Sequence, residues 1–369
     1  MATTYRYLFV DLLSNTIIGE LPLTGVGFTQ QLNQSGTFQG HLLLSGVNSY
    51  QFNVDPSTIP AHCALYVDRD GILVWGGVIW GRSYNSTSQT LTFTAREWLS
   101  YFERRRINYD VQFNGIDQLV IAKTLIENAQ NETYGDIGVG YNSEGQTTSG
   151  VLVDRTYYNY ELKQVFQAIQ DLSRQSDGFD FHIDIAYDNI TGLPTKSFNT
   201  YYPRSGEIYS LGNLNIPVFE FPAGNVVEYE YPEDGSVAAN RIYAMGAGSN
   251  EGKLISIAED ATKFATGWAL LEDQANYSDI TDQTVLDSLA QGQVLAVSYP
   301  PVTLKLVVPA YVDPVFGTYE VGDDCRVIIR DDRFPNGFDE IFRIVGVSVQ
   351  PGEDGPERVT LTCTQGTGE

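Results

Sequence analysis

The sequence is poor in the residues that disulfide-rich proteins and metal sites need. Its 369 residues include three cysteines, three histidines and two methionines. Cys63, Cys325 and Cys363 are too few and too scattered for a disulfide framework or a zinc site, which suits a protein made in a reducing compartment. No apolar run approaches the roughly 20 residues that span a bilayer. The N-terminal segment, interrupted by Asp11, predicts a first strand and not a signal peptide.

The sequence also lacks a recognisable catalytic constellation. His41 and His182 lie in strand-like stretches, and adjacent residues such as His62 and Cys63 point in opposite directions in a strand. There is no Gly-Lys-Ser/Thr phosphate loop, and the glycine spacing over residues 246–252 does not fit a dinucleotide-binding turn. The sequence therefore predicts no catalytic residue, no cofactor and no metal site.

Acidic pairs are frequent, but 46 acidic residues produce such pairs by composition alone, and turns and exposed rims are their usual place. The stretch from Asp331 to Asp339 lacks the alternating acids of a calcium loop. Two opposed carboxylates hydrolyse glycosides only at a particular separation in space, which a sequence does not give. Glycan hydrolysis therefore stays open as an alternative. The pairs occupy positions 233–234, 323–324, 331–332 and 339–340.

Basic residues are scarce, and the resulting negative charge is unevenly distributed. The net charge is −24, from 22 Lys and Arg against 46 Asp and Glu. Residues 1–110 hold 7 basic against 8 acidic residues, whereas residues 111–369 hold 15 against 38. Such a surface repels nucleic acid and anionic membranes. It indicates either simple solubility or a surface past which DNA slides without sticking.

What the sequence has in abundance favours β structure. It contains 23 Tyr, 18 Phe and 35 Gly, and hydrophobic residues make up 42%. Short alternating segments predict strands at residues 5–13, 17–21, 27–32 and 38–44, and residues 96–106 predict a short helix whose arginines lie at its C-terminal end.

The central part of the chain has a mixed pattern. Apolar spacing predicts helices over residues 117–129 and 160–174, the second with Leu162 on its apolar stripe, on either side of a Gly-rich loop at 132–150. Residues 179–185 then alternate between apolar side chains and Asp180, His182 and Asp184, which predicts a half-buried strand. A further helix is predicted around Val285, Leu286 and Leu289.

Two β segments of the sequence follow one template. Residues 64–94 and 325–364 each contain a strand, a turn rich in Arg and Asp, a strand with a Gly-Val step, and a closing Thr-Leu-Thr strand. The distance from the Gly-Val glycine to the first closing threonine is 13 residues in one copy (77 to 90) and 14 in the other (346 to 360). We interpret this as a duplication, which is evidence about how copies of the protein assemble and not about a reaction that it catalyses.

These patterns predict an α+β, predominantly β protein in which two β domains flank an α+β insertion. The predicted boundaries are residues 1–106 for the first β domain, 107–212 for the insertion, 213–235 for return strands that could complete the first domain, and 236–369 for the second β domain with a helical insertion around 259–296.

Several runs of the sequence, taken in order, resemble minor tail proteins of siphophages that infect actinobacteria. The runs are 73–79 (LVWGGVI), 95–99 (AREWL), 178–181 (GFDF), 202–206 (YPRSG), 239–248 (ANRIYAMGAG), 321–324 (VGDD) and 357–362 (ERVTLT). The chain is thereby similar to the trimeric hub proteins of the tail tip or baseplate of long-tailed phages.

The resemblance implies two domains like those of tail-tube subunits, each a β-barrel or sandwich, so that three chains present six similar positions and adapt a six-fold tube to a three-fold tip. It implies a structural virion protein, made in the host cytoplasm, that is neither an enzyme nor inserted into a membrane. It further implies a homotrimer that contacts a tail-tube or distal tail protein, the tape-measure protein and receptor-binding proteins, and that lets DNA pass without adhesion.

Four acids in the matching turns of the two copies, Asp68, Asp70, Asp331 and Asp332, are candidates for facing the channel, although these turns could equally point outward. Two alternatives remain at this stage. The richness in Tyr and Trp suits a receptor-binding or carbohydrate-binding tail module. A carboxylate pair suits a tail-associated glycan hydrolase.

Overall fold

The computed structural model describes residues 3–44, 54–141, 143–175, 177–210, 215–278, 280–298, 303–352 and 356–365. Strands dominate these residues, and the predicted α+β, predominantly β class is confirmed. The strands are β1 Tyr5–Asp11, β2 Ile17–Glu20, β3 Thr24–Gln31, β4 Thr37–Leu43, β5 Cys63–Arg69, β6 Ile72–Asn85, β7 Thr90–Glu97, β8 Val111–Asp117, β9 Val139–Tyr141, β10 Leu152–Tyr157, β11 Asp180–Tyr187, β12 Pro194–Tyr201, β13 Val218–Phe221, β14 Glu228–Glu230, β15 Arg241–Met245, β16 Ile255–Glu259, β17 Glu272–Asn276, β18 Thr303–Pro309, β19 Asp324–Ile329, β20 Phe338–Gln350 and β21 Arg358–Gln365. The α-helices are α1 Val54–Ser57, α2 Leu99–Phe102, α3 Gln118–Asn131, α4 Val165–Ser173, α5 Ala261–Ala265 and α6 Gln283–Val297. No helix among the described residues is both long and apolar enough to cross a membrane.

One large sheet connects the beginning and the end of the chain. Its strand order is β14-β18-β21-β20-β3-β4-β7-β6-β5-β1-β2, with β19 beside β20 and β13 beside β19. Below, the first module means β1–β7 and the second module means β13, β14 and β18–β21. The modules meet where β20 pairs with β3, from Gly346 opposite Gln31 to Val349 opposite Phe28.

The two modules use the same strand order. In the first module, β3, β4, β5, β6 and β7 follow one another in the chain and lie in the sheet as β5-β6-β7-β4-β3. In the second module, β14, β18, β19, β20 and β21 lie as β19-β20-β21-β18-β14. The outer neighbours differ, since β1 is antiparallel to β5 whereas β13 is parallel to β19. The sequence duplication therefore corresponds to a duplication of topology.

A bulge fixes the equivalent residues of the two modules. The pairing of β6 with β7 shifts between Ile79 and Gly81, and the pairing of β20 with β21 shifts between Ile344 and Gly346. The carbonyl groups of Ile79 and Ile344 also accept corresponding backbone hydrogen bonds, of 2.7 and 2.8 Å, from the chain before β5 and β19. Gly346 is therefore equivalent to Gly81, and the sequence alignment with Gly77 was wrong by four residues.

An inserted unit, β8–β12 with α3 and α4, lies between β7 and β13 in the chain. The predicted helix at 117–129 is confirmed as α3: Asp117 caps it by accepting a hydrogen bond of 2.9 Å from the Leu119 N–H, and its apolar stripe is buried. The predicted strand at 179–185 corresponds to β11, which pairs with β12.

Two helix predictions at the edges of this unit were partly wrong. Residues 96 and 97 belong to β7, and only Leu99–Phe102 are helical because the following chain bonds across to 163–165. Leu162 is left-handed (φ 46°) and half-exposed, so α4 begins only at Val165. In both places tertiary backbone pairing overrides local helix propensity.

A small unit, β15–β17 with α5 and α6, is inserted between β14 and β18. The predicted helix around Val285, Leu286 and Leu289 is confirmed as α6, and all three side chains are buried against β15 and β16. This unit has its own hydrophobic cluster, separate from the cores of the modules.

The two modules share one hydrophobic core, whereas the inserted unit packs on the other face of the first module. Strand β5 shows this division with the period of two that strands impose. Leu65 and Val67 belong to the shared core, while Ala64 and Tyr66 belong to the core of the inserted unit. Because β5 is buried on both faces, the first module is the central layer of the molecule.

Candidate functional site

Asp180 lies where both modules meet the inserted unit. The Arg343 guanidinium of β20 forms an ion pair with this carboxylate, which is 6% exposed as a residue. The Asn33 side-chain amide donates to Asp180 Oδ1 at 2.7 Å, and the Ser205 N–H donates to Oδ2 at 2.9 Å. A single buried carboxylate therefore joins the β3–β4 turn, β11 and β20. We call this region the junction.

A second ion pair extends the junction. Arg204 lies 2.7 Å from the Asp324 carboxylate, and both side chains are largely buried. Close backbone approach accompanies the pair, because a Cβ atom on Gly206 would lie 2.1 Å from the carbonyl carbon of Gly322. Gly206 and Gly322 also have φ angles of 81° and 112°, which favour glycine. Of the runs that carry the resemblance, 202–206 therefore contacts both 178–181 and 321–324.

A third buried contact joins the two modules directly. Arg69, at the end of β5, lies 2.7 Å from the Glu357 carboxylate just before β21, and the two side chains are 16% and 7% exposed. Arg69 also lies over the Phe316 ring at 5.2 Å. The Tyr5 hydroxyl donates to Glu357, and burial, then this carboxylate, raises the Tyr5 pKa. These contacts fix the relative position of the modules.

The junction encloses a cavity of about 380 Å³ between the modules and β11. Glu97, at the end of β7, lines it and accepts a hydrogen bond of 2.6 Å from the Gly36 N–H. Burial raises the pKa of Glu97 to about 8. Burial and neighbouring acids also raise the pKa of Glu320, which lines the opposite side. Glu97 and Glu320 therefore hold their protons more tightly than free carboxyl groups do. Asp184 in the same cavity differs, because burial raises its pKa less than hydrogen bonds and the charge of His182 lower it.

His182 and Asp184 of β11 face the same cavity, with His182 Nε2 2.7 Å from Asp184 Oδ1. Burial lowers the pKa of His182, but the hydrogen bond to Asp184 and the charges of Asp184, Glu320 and Glu97 together outweigh it, and the net shift is upward. The polar face predicted for β11 is therefore half-buried against the modules. Among the described residues, no group of three His, Cys, Asp or Glu side chains is arranged to hold a metal ion.

Of the four candidate channel acids, Asp68 lies near the end of β5 and Asp70 lies in the β5–β6 turn of the first module. Asp68 is 1% exposed, and its carboxylate accepts hydrogen bonds from the Gly71 N–H at 2.8 Å and the Tyr187 hydroxyl at 2.5 Å. It therefore connects the turn to β11. Asp70 is exposed and accepts a hydrogen bond of 2.8 Å from the Thr4 N–H.

The other two acids lie in the corresponding β19–β20 turn of the second module. Asp331 accepts a hydrogen bond of 2.6 Å from the Tyr229 hydroxyl, which lowers the Asp331 pKa. Asp332 is exposed. Asp70, Asp331 and Asp332 thus lie in the equivalent turns of the two modules, whereas Asp68 lies in a strand, and a channel-facing role for these acids stays a prediction.

Sequence reasoning did not identify Arg343, Arg69 or Glu97 as site residues. Each occurs in a strand whose pattern gives no sign of its partner, because the partners of Arg343 and Arg69 are 163 and 288 positions away. The signal available was indirect: Glu97 and Glu357 belong to runs that carry the resemblance.

No protein-family model and no characterised protein matches this sequence. The fold, however, is similar to that of solved phage tail proteins. A tail protein from Neisseria meningitidis MC58 has a TM-score of 0.64 and 12% identity, over 99% of this chain and 97% of that one. A 43 kDa tail protein of prophage MuSo2 from Shewanella oneidensis has a TM-score of 0.61 and 14% identity, over 98% of both chains.

A third solved structure is the prophage tail protein gp18 from Listeria monocytogenes EGD-e, with a TM-score of 0.54 and 14% identity, over 97% of this chain and 94% of that one. At such low identity, the similarity concerns the fold. Because it extends over nearly the whole length of each chain, it includes both modules together with the units inserted into them.

Proposed function

We propose that this chain, which has the fold of phage tail proteins, is a structural subunit that forms a three-fold ring at the tip of a siphophage tail. The observation that carries the proposal is the duplicated module. Five strands recur in the same chain order and the same sheet order, and the two copies lie side by side in one sheet. A chain that already contains two similar positions produces six of them when three copies form a closed ring.

The differences between the modules fit an adapter. The equivalent turns before β6 and β20 differ in length, with strands separated by residues 70–71 in one module and 330–337 in the other. Three copies would therefore present six similar but alternating positions, which can join a six-fold tube to a three-fold tip. The proposed domains are those of the sequence prediction with one change: β13 and β14, within the predicted return strands 213–235, pair with β19 and β18 and so belong to the second module and not to the first.

An acidic channel is part of the proposal. The net charge of −24 would keep DNA from adhering to the ring. Asp70 and Asp332 are exposed in equivalent turns, with Asp331 beside them, so three copies would place a ring of acids at one level. Asp68 is not one of these acids, since its carboxylate is buried and bonded within the chain.

In this function the chain is not an enzyme, and its partners are other virion proteins. A ring at the tail tip would contact the tail tube or distal tail protein on one side and receptor-binding proteins on the other, with the tape-measure protein inside. The junction would serve as a rigid support, because its buried ion pairs bind the inserted unit to the second module and the Asn33 side chain binds Asp180 to the first.

Native mass spectrometry of the purified chain and averaged images of tail tips test this function. We expect a homotrimer at high protein concentration and three copies at the tip, surrounding a pore. A chain that stays monomeric in solution and is present in a single copy at the tip would contradict the ring.

Carbohydrate binding is a second candidate, supported by exposed tyrosines on the inserted unit. Tyr158 and Tyr160 stack at 5.3 Å, and Tyr160 is 74% exposed. Exposed aromatic faces suit sugar rings. Binding of the chain to cell-wall glycans, and its loss in the Tyr158→Ala/Tyr160→Ala variant, would support this function. Absence of binding by the native chain would exclude it.

A further inference from the structure

The C-terminal half of β6 has an open edge. Residues 81–85 pair with β7 on one side, and on the other side no described residue makes a backbone hydrogen bond to them. The equivalent half of β20, residues 346–349, has a neighbour on both sides, namely β21 and β3. The first module therefore lacks, within one chain, a strand partner that the second module has.

The second module has the complementary open edge. Strand β3 lies between β4 and β20, whereas its counterpart β14 pairs with β18 and ends the path of the sheet among the described strands. Thr94 of β7 and Thr362 of β21 are equivalent, because each lies opposite the glycine of its bulge. Following the residue pairing across two strands leads from Thr94 to Gly27 of β3 and from Thr362 to Glu230 of β14, so Gly27 and Glu230 are equivalent. Residues 28–31, which pair with β20, therefore correspond to residues 231–234.

We propose that the open edge of β6 pairs with residues 231–234 of a second copy of this chain, in the register that β20 and β3 use within one chain. The inference rests on the proposed ring and specifies its contact. Transferring the register places Arg82 opposite the partner's Glu233 and Ser83 opposite the partner's Pro232. Tyr84 would then lie opposite the partner's Tyr231.

Charge supports this register. The edge at 231–234 contains two acids, and Arg82 is the cation on the open part of β6. In the single chain, Arg82 lies 3.4 Å from Asp55, a carboxylate with a 92% exposed side chain, and Glu233 lies 3.2 Å from the exposed Arg333. Arg82 also donates hydrogen bonds to the Asp55 carbonyl at 3.1 Å and to the Thr58 hydroxyl at 2.8 Å. The ionic partners of Arg82 and Glu233 are nevertheless exposed, so each can be exchanged for a charge on another copy.

The position of Pro232 supports the register independently. The Leu32 N–H donates to the Val345 carbonyl oxygen at 3.0 Å, so Leu32 and Val345 form a hydrogen-bonded residue pair. Along antiparallel strands such pairs alternate with pairs that share no hydrogen bond, and counting back from Leu32 places Thr29 in a pair without hydrogen bonds to β20. The Thr29 carbonyl is instead bonded to the Trp75 indole at 3.0 Å. Pro232 is the counterpart of Thr29, and this position needs no N–H toward the partner strand.

The pairing continues from copy to copy. Within one chain the first module contacts the second through β3 and β20, and between chains the second would contact the first through residues 231–234 and β6. Such a head-to-tail contact uses two different surfaces, and it closes into a ring when the rotation between copies allows.

Disulfide crosslinking of the full chain tests the register. In the proposed register, Ser83 of one copy and Pro232 of the next form a residue pair without hydrogen bonds. The Cα atoms of such a pair lie about 4.5 Å apart, which suits a disulfide between cysteines at these positions. We expect the Ser83→Cys/Pro232→Cys variant to give covalent trimers under oxidation. The three native cysteines are buried, so each single variant serves as a control. The matched register control is Ser83→Cys/Glu230→Cys, which we expect to stay uncrosslinked.

The outcomes separate the inference from the proposed function. A native trimer that does not crosslink through positions 83 and 232, or that crosslinks equally in the shifted control, overturns the pairing and leaves the ring intact. A monomer at every concentration, with no covalent species, overturns both.

Charge reversal gives a second test. Arg82→Glu and Glu233→Arg should each weaken association by about tenfold or more, and the double variant should restore it; a double variant as weak as the single ones contradicts the proposed pair.

Discussion

Asp180 shows at the residue scale how this protein uses buried charge. Its carboxylate receives donors from the first module, the inserted unit and the second module, so all three lose a partner if it is removed. Buried ion pairs contribute less to stability than their geometry suggests, because taking charges out of water is costly. Their value here is positional, since a misplaced unit would leave a charge buried without its partner.

Glu97 leads to a prediction about pH. Its pKa is raised from 4.5 to about 8, so between these values the folded chain holds a proton that the unfolded chain releases. The free energy of unfolding of the native protein therefore falls as pH rises from 5 to 8. Glu97→Gln has no proton to lose. Relative to native, we expect its free energy of unfolding to rise over this range by about 2–4 kcal/mol, at roughly 1.4 kcal/mol per pKa unit and discounted for water in the cavity.

The measurement is urea denaturation of both proteins at pH 5, 6.5 and 8. Glu228→Gln, on the exposed strand β14, is the control for loss of charge alone. His182, whose raised pKa also makes the fold less stable as pH rises, titrates in both proteins and largely cancels in the difference. A difference between the Glu97→Gln variant and native that is independent of pH would show that Glu97 is ionised throughout.

At the scale of elements, the bulge decides which residues of the repeated strands correspond. A Cβ atom on Gly77 would lie 2.1 Å from the Arg96 carbonyl oxygen, so β7 leaves no room for a side chain. A Cβ atom on Gly346 would meet its nearest neighbours at 3.4 Å, which is close to ordinary contact. The two glycines of the sequence template therefore have different surroundings. The bulge, and not the crowding, makes Gly81 the counterpart of Gly346, because a Cβ atom on Gly81 would also be crowded, at 2.3 Å from the Thr94 hydroxyl.

Alanine substitutions test this difference in surroundings. Gly77→Ala should lower the free energy of unfolding by about 2–3 kcal/mol or more, because backbone must move. Gly346→Ala should change it by less than about 1 kcal/mol. Chemical denaturation of the two variants measures both values. Equal losses would contradict the difference in surroundings between Gly77 and Gly346.

At the scale of the whole molecule, the shared core makes the two modules one cooperative body. Leu361 of β21 and Phe93 of β7 belong to the same buried cluster, although 268 positions separate them. The small unit has a separate cluster that includes Leu289. Regions that share a core open together, whereas a unit with its own core can open by itself.

Hydrogen exchange measures this cooperativity. Leu361→Ala, expected to cost about 2–5 kcal/mol, should increase exchange in β4–β7 as well as in β18–β21. Leu289→Ala, a matched deletion in the small unit, should increase exchange in β15–β17 and α6 and leave the modules protected. If Leu361→Ala changed only the second module, the modules would be independent domains.

The sequence by itself determined the class of the fold, the early strands, α3, α6 and the existence of a repeat, because hydrophobic periodicity and turn residues are local. It also placed Asp70 and Asp331 in matching turns. Only the tertiary structure decided that the repeats share one sheet and one core, that Gly346 corresponds to Gly81, and that Asp68 is buried. The ends of the helices at 96–106 and 160–174 depended on it as well. The physical reason is that pairing register, burial and ion pairs such as Arg343 with Asp180 join residues far apart in the chain, and a local pattern carries no record of its distant partner.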